Sequence, residues 1–156
     1  MDLLKQELLL QQSQIGHKIG SSEWTSIDQK RINAFAKITE DPQFIHIDPD
    51  KAKRQSPFGK TIAHGFLILS LASKFAIEVL PKTSLEIIRI NYGFNKIRFI
   101  HPVFVNSIVR GTFRLNTVER KNERGLLQNF ELIIEIKETE KPALVGEWLM
   151  LTQFNE

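Results

Sequence analysis

The sequence predicts an α+β domain, an antiparallel sheet of about five strands wrapped around one long helix. Three features point to it. The stretch Gly65–Leu80 is apolar around almost its whole circumference, with only Ser70, Ser73, Lys74 and Glu78 polar between Phe66 and Val79. A helix with no polar face has to be covered by the rest of the fold. Beyond Pro81 the apolar period drops from about 3.6 to about 2, the signature of strands with one inward face. Short turns join these strands, which makes neighbours antiparallel.

From the N-terminus, Leu4, Leu8 and Gln11 fall at helical spacing, so residues 1–14 read as a helical extension of a single domain spanning 1–156. Trp24-Thr25-Ser26-Ile27 is a short extended piece. Asp28 is placed to cap a helix carrying Ile32, Phe35 and Ala36 on one face. That helix should end before Asp41-Pro42, because proline disfavours helix at the residue before it. Asp48-Pro49 is an N-cap followed by proline at the first helical position, opening a short helix through Ala52. Ser56-Pro57-Phe58-Gly59 is a turn.

The strands expected after Pro81 are Leu85–Phe99, Phe104–Val118, Leu126–Lys137 and Leu144–Phe154. In the third, Phe130, Leu132, Ile134 and Ile136 share one face, and Asn129, Glu131 and Glu135 the other. Asn122-Glu123-Arg124-Gly125 is a hairpin turn, and Gly93 inside an extended run suggests a bulge.

Composition excludes several functions. With 156 residues, 42% apolar and 25% charged, the chain can bury an ordinary core. Its net charge of +3 is small and scattered, with no basic, aromatic-laced window for nucleic acid. The absence of cysteine rules out disulfides, a thiolate nucleophile and cysteine-based zinc sites. No apolar run is long enough to span a membrane, and the first dozen residues are too polar for a signal peptide. A cytoplasmic location is the expectation, with neither nucleic-acid nor membrane partners.

Chemistry concentrates between Thr39 and Ser70. Asp41 and His46 form an ionisable pair in one short irregular segment. Gly65, preceded by His64, opens the apolar helix and offers a backbone N–H along the helix dipole. An acid/base pair beside such a donor suits chemistry on a carbonyl or thioester. Each residue also has a plainer reading. Asp41 serves as a turn residue before Pro42, His46 as a satisfied buried histidine, His64 as a packing or loop-bonding residue, and Asp48 as a helix cap. His17 and His101 have no visible partner. The histidines do not fall at metal-ligand spacing with other donors, so neither a metal nor a cofactor is expected.

The run Asp41-x-x-x-x-His46-x-Asp48-Pro49, followed by Phe58-Gly59-x-x-Ile62-Ala63-His64-Gly65-Phe66, resembles the MaoC-like dehydratases, a family that includes (R)-specific enoyl-CoA hydratases. The likeness is closer to its nodulation-protein-N-like branch, through Asp41 to His46, Ile62 to Phe66, and Asn91 to Phe99 followed by Pro102-Val103. It extends from about Ile15 to near the C-terminus. The resemblance implies a hot-dog fold, a homodimer, and a thioester substrate on CoA or acyl carrier protein. It also implies that Asp41 and His46 are the catalytic carboxylate and imidazole, and that the Gly65 N–H binds the thioester oxygen. Ser73 falls where the hydratases often carry a hydroxyl near the pair. Three positions depart from the family pattern: Gln43 replaces the usual Asn, Phe44 a Pro, and Asn106 stands where many members have Gly. The implied reaction interconverts trans-2-enoyl and (R)-3-hydroxyacyl thioesters. A non-catalytic acyl- or partner-binding protein and an acyl thioesterase are the alternatives.

Overall fold

The computed structural model describes residues 3–155. One antiparallel sheet contains β1 (Lys18–Ser21), β2 (Thr25–Ile27), β3 (Glu86–Phe99), β4 (Ser107–Arg120), β5 (Gly125–Ile136) and β6 (Leu144–Phe154). The order is β1-β4-β5-β6-β3, and β2 also pairs with β4. The sixth strand, against an expectation of about five, is β1, whose short Lys-Ile-Gly-Ser run carries little alternation. β1 and β2 are two pieces of one interrupted edge, facing Thr112–Arg114 and Ser107–Val109 of β4 in turn. Ser22 bridges the gap, giving its N–H to Gly111 O at 2.8 Å and accepting the Gly111 N–H on its hydroxyl at 3.0 Å.

Alternation decides the inner face. On β5, Leu126, Phe130, Leu132, Ile134 and Ile136 are all buried, while Asn129, Glu131 and Glu135 face outward. The expected bulge at Gly93 is present as a register shift between Asn91 and Gly93 against β6. At the hairpin before β5, Asn122 Oδ1 accepts the Arg124 N–H at 3.0 Å.

The long helix is two helices, α5 (Gly65–Ser70) and α6 (Ala72–Val79). At Leu71 the ladder tightens, its N–H reaching Ile68 O at 3.2 Å. Ser70 Oγ donates to Phe66 O at 2.6 Å, a back-bond that bends helices. Leu67, Ile68, Leu71, Ala72, Phe75 and Ala76 are buried against the sheet. Phe75 sits directly on β4, where a Cβ at Gly111 would lie 2.7 Å from Phe75 Cβ; only glycine allows that approach. The wrapping is incomplete, however. Phe66 and Ile77 are 67% and 81% exposed, because the sheet covers one side of the helix and none of the described residues covers the other.

The remaining helices are α1 (Leu3–Gln12), α2 (Gln29–Thr39), α3 (Phe44–Ile47) and α4 (Pro49–Gln55). In α1, Leu4 joins the core, Leu8 packs on it, and Gln11 meets Gln128 at 3.1 Å, the face read from the sequence. Asp28 caps α2 through the Arg31 N–H at 2.8 Å, and Glu40 ends it in the left-handed conformation. Asp48 caps α4 through the Lys51 N–H at 2.9 Å. Asn106 takes φ 68°, which explains how it stands in for a glycine: asparagine tolerates the left-handed region. Among the described residues no helix is long and apolar enough to cross a membrane.

Candidate active site

Two segments far apart in sequence meet at the site. The first is the loop from the end of α2 through α3, anchored where the Asp41 N–H reaches Ala36 O at 3.0 Å. The second is Thr61–His64, which leads into α5. They are joined by the Ile62 N–H on Ile45 O at 3.0 Å, and Ala63 ties the second segment to Val103 O at 2.7 Å. Gln29 of α2 braces both: its amide donates to His46 O at 2.7 Å and accepts from Thr61 Oγ1 at 2.6 Å.

His46 is buried, 6% exposed, and its Nδ1 lies 2.7 Å from Ile62 O. A carbonyl only accepts, so Nδ1 carries the hydrogen and neutral His46 keeps its Nε2 lone pair free. Burial is the main force holding His46 below the ordinary imidazole value of 6.5, and the neighbouring His64 acts in the same direction. The Ile62 carbonyl and the Asp41 carboxylate oppose them. Asp41 has a half-exposed side chain and receives the Gln43 amide at 3.2 Å. Gln43, one of the departures from the family pattern, thus touches the candidate carboxylate. Phe44, another, lies under the Lys51 ammonium at 4.8 Å.

His64 is also buried, and its ring stacks on His46 with centroids 3.7 Å apart and planes at 24°. Its Nε2–H donates to Asp41 O at 3.0 Å, and Nε2 is 4.0 Å from Asp41 Oδ2. An oxygen of Asp41 and a ring nitrogen of each histidine lie within 4.8 Å of one another, a convergence that sequence spacing did not foretell. One nitrogen of each ring is committed to a carbonyl.

Gly65 is the first residue of α5, and His64 makes no side-chain cap. Among the described residues the Gly65 N–H has no acceptor within reach. The residue lines a cavity of about 370 Å³ with Ile62, Phe66, Phe99 and His101. Asp41 and His46 stand outside that lining, linked to it through Ile62–Gly65. Phe99 was not singled out from the sequence; its ring lies against Gly65 from the far end of β3. Ser73 is two helical turns further on. It accepts from Asn91 at 3.2 Å and borders a separate 290 Å³ cavity with Phe66 and Trp148. The fold therefore brings Asp41, His46, His64 and Gly65 together, and Ser73 makes no hydrogen bond to them among the described residues.

Residues 11–131 match the MaoC like domain. The chain belongs to the MaoC-like family. It is 43% identical to Nodulation protein N of Rhizobium meliloti over 143 residues, covering 92% of this chain and 89% of that protein. It is 40% identical to 3-hydroxyacyl-thioester dehydratase Z of Mycobacterium tuberculosis over 132 residues, covering 85% and 86%. Among solved structures, a monoamine oxidase regulatory protein from Archaeoglobus superposes with a TM-score of 0.76 at 24% identity, covering 92% of each chain. An (R)-hydratase from A. caviae involved in PHA biosynthesis gives 0.68 at 23% identity, covering 87% of this chain and 94% of that one. The sheet curled around a central helix is the hot-dog fold of these MaoC-like proteins.

Proposed function

We propose that this MaoC-like chain is a hydratase/dehydratase that interconverts trans-2-enoyl and (R)-3-hydroxyacyl thioesters carried on CoA or acyl carrier protein. The observation that carries the reading is the state of His46: a buried imidazole with Nδ1–H fixed on a carbonyl and Nε2 free, close to the Asp41 carboxylate. The names of the relatives support the same class of reaction.

In the hydration direction, His46 Nε2 takes a proton from water as the water oxygen bonds to C3. The C2–C3 π electrons move toward the thioester carbonyl, where the free Gly65 N–H stabilises the oxyanion. Asp41 and His46 then return a proton to C2 from the same face, giving syn addition. Of the three residues the resemblance offered for substrate binding, Gly65 lines the cavity of about 370 Å³, whereas His64 and Ser73 lie outside its lining.

The active unit is a homodimer. β3 is an edge strand whose Ile87, Ile88, Ile90 and Tyr92 are exposed, and Phe66 and Ile77 of the central helix are also uncovered. A second copy placed along that edge hides both.

The test is hydration of crotonyl-CoA and of longer trans-2-enoyl-CoAs, followed by loss of the conjugated thioester absorbance, with free thiol measured in the same samples. Absorbance loss without thiol release is the expected result. Thiol release in step with it would make the chain a thioesterase, and no change in either would leave a binding protein.

A further inference from the structure

We propose that His64 is a positioning residue that clamps the two members of the acid/base pair to each other, holding the backbone of Asp41 with its edge and the ring of His46 with its face. The inference rests on the proposed assignment of Asp41 and His46 as the reacting pair, but it is read from different contacts.

Asp41 and His46 are five residues apart on a loop whose only regular element is the single turn of α3. Among the described residues no hydrogen bond joins their side chains, and Asp41 is half exposed. One external side chain reaches both. His64 comes from the head of α5, 23 residues beyond Asp41, and donates Nε2–H to the Asp41 carbonyl at 3.0 Å. The same ring lies flat on His46 at 3.7 Å. Phe35 of α2 packs on His64 at 5.0 Å, so the clamp is itself braced. Thr61, Ile62 and Ala63 are all hydrogen-bonded to neighbouring segments, which fixes the backbone that presents His64.

Two features separate this arrangement from ordinary core packing. His64 Nδ1 is buried with no hydrogen-bond partner among the described residues, an unsatisfied acceptor that an apolar ring would avoid. His64 also acts on His46 coulombically, in the same direction as burial. The titratable and charged groups facing His46 are Asp41 from its own loop and His64 from α5. From α2 the group that reaches it is the neutral Gln29 amide, and Asp48 of the adjoining α4 cap is spent on the Lys51 N–H. Burial and His64 lower the imidazole, while the Ile62 carbonyl and Asp41 raise it.

Two variants divide the clamp. His64→Gln keeps an amide N–H that can reach the Asp41 carbonyl but removes the ring face. His64→Phe keeps the face and removes the donor. The imidazole titration of His46, followed by NMR on the full chain without substrate, is read beside the pH profiles of kcat and KM. In His64→Gln the His46 titration is expected to move up toward 6.5. In His64→Phe, which keeps the burial but loses the coulombic contribution of His64, it is expected to move up less than in His64→Gln. Both variants should lose about 10- to 100-fold in kcat with KM changed less, the scale of a misplacement of about 1 Å. A His46 titration indifferent to His64→Gln, or both variants turning over like wild type, overturns the proposal. So does failure of both to fold, which would make His64 a stability residue. A shifted titration in a chain that never hydrates an enoyl thioester keeps the clamp and discards the reaction.

Discussion

Gly65→Ala separates the chemistry of the site from its packing. A Cβ at Gly65 would lie 2.9 Å from Phe99 Cε1, 3.0 Å from Cδ1 and 3.3 Å from Cζ. These are edge atoms of a half-exposed ring, so Phe99 can give way by a few tenths of an ångström. Overpacking of this kind costs about 1 kcal/mol, the low end for a crowded core, which lowers Tm by roughly 2–4 °C in a domain of this size. A loss of that size leaves the protein almost wholly folded at 25 °C. Catalysis should suffer far more. Crowding one oxyanion donor is worth about 100- to 1000-fold in kcat, or roughly 2.7–4 kcal/mol of barrier. The double variant Gly65→Ala/Phe99→Ala removes the clash and keeps the methyl. Compared with Phe99→Ala alone, it should match in thermal melting and remain about 100-fold slower in enoyl-CoA hydration. If the double variant turns over as fast as Phe99→Ala, or Gly65→Ala alone has wild-type kinetics, the glycine serves only to seat Phe99, and the oxyanion assignment is wrong.

Asp41→Asn and His46→Gln should each fold normally and lose about 100- to 10,000-fold in kcat, and the double variant should be little slower than the slower single. Steady-state kinetics on crotonyl-CoA check this, and wild-type turnover in either folded single variant refutes the pair. Stability should depend on pH through His46. Because the folded imidazole sits below 6.5, the unfolded chain binds more protons between the two values. This contribution is complete above about pH 6.5 and is lost as pH falls toward the folded value, at no more than about 1.4 kcal/mol per pH unit. Urea denaturation of wild type and His46→Gln from about pH 5 to 8 should show a flatter curve for the variant. In solution, light scattering should give about twice the chain mass of 18.0 kDa. Ile90→Lys on the exposed edge should shift it toward the single chain, and an unchanged mass for that variant would move the interface elsewhere.

Much of the fold was legible because its elements are locally consistent. β5 could be read residue by residue: Phe130, Leu132, Ile134 and Ile136 were expected inside and are. The caps at Asp28 and Asp48 need only a side-chain oxygen and an N–H three residues on, so local sequence suffices. β1 escaped because four residues with two small members carry no alternation, and only β4 makes them a strand. The break at Leu71 escaped because it depends on hydroxyl back-bonding inside a stretch whose hydropathy is unbroken. The uncovered Phe66 and Ile77 mark the limit of reading burial from composition: an all-round apolar helix states that something must cover it, not that the same chain does.

The site divides along the same line. Asp41, His46 and Gly65 could be named because acid/base side chains and a helix-opening glycine have recognisable residue types. What makes them a site is carried by groups with no sequence signature. The Ile62 carbonyl fixes the His46 tautomer, and any residue at that position offers the same carbonyl. The Asp41 carbonyl receives His64, again through backbone. Gln29 and Thr61, which hold the His46 carbonyl in place, are 32 residues apart and look ordinary in sequence. Residue type specifies which reactions are available, while tautomer and orientation decide which is used, and here both are set by long-range backbone contacts. It follows that changes at Gln29 or Thr61 should alter kcat without touching any reacting atom. Thr61→Val removes only the hydroxyl that steadies the Gln29 amide, so its effect on kcat, with KM unchanged and the fold intact, measures how far the proposed catalytic tautomer depends on that remote bond. Unchanged kcat in folded Thr61→Val would show that Ile62 alone is sufficient.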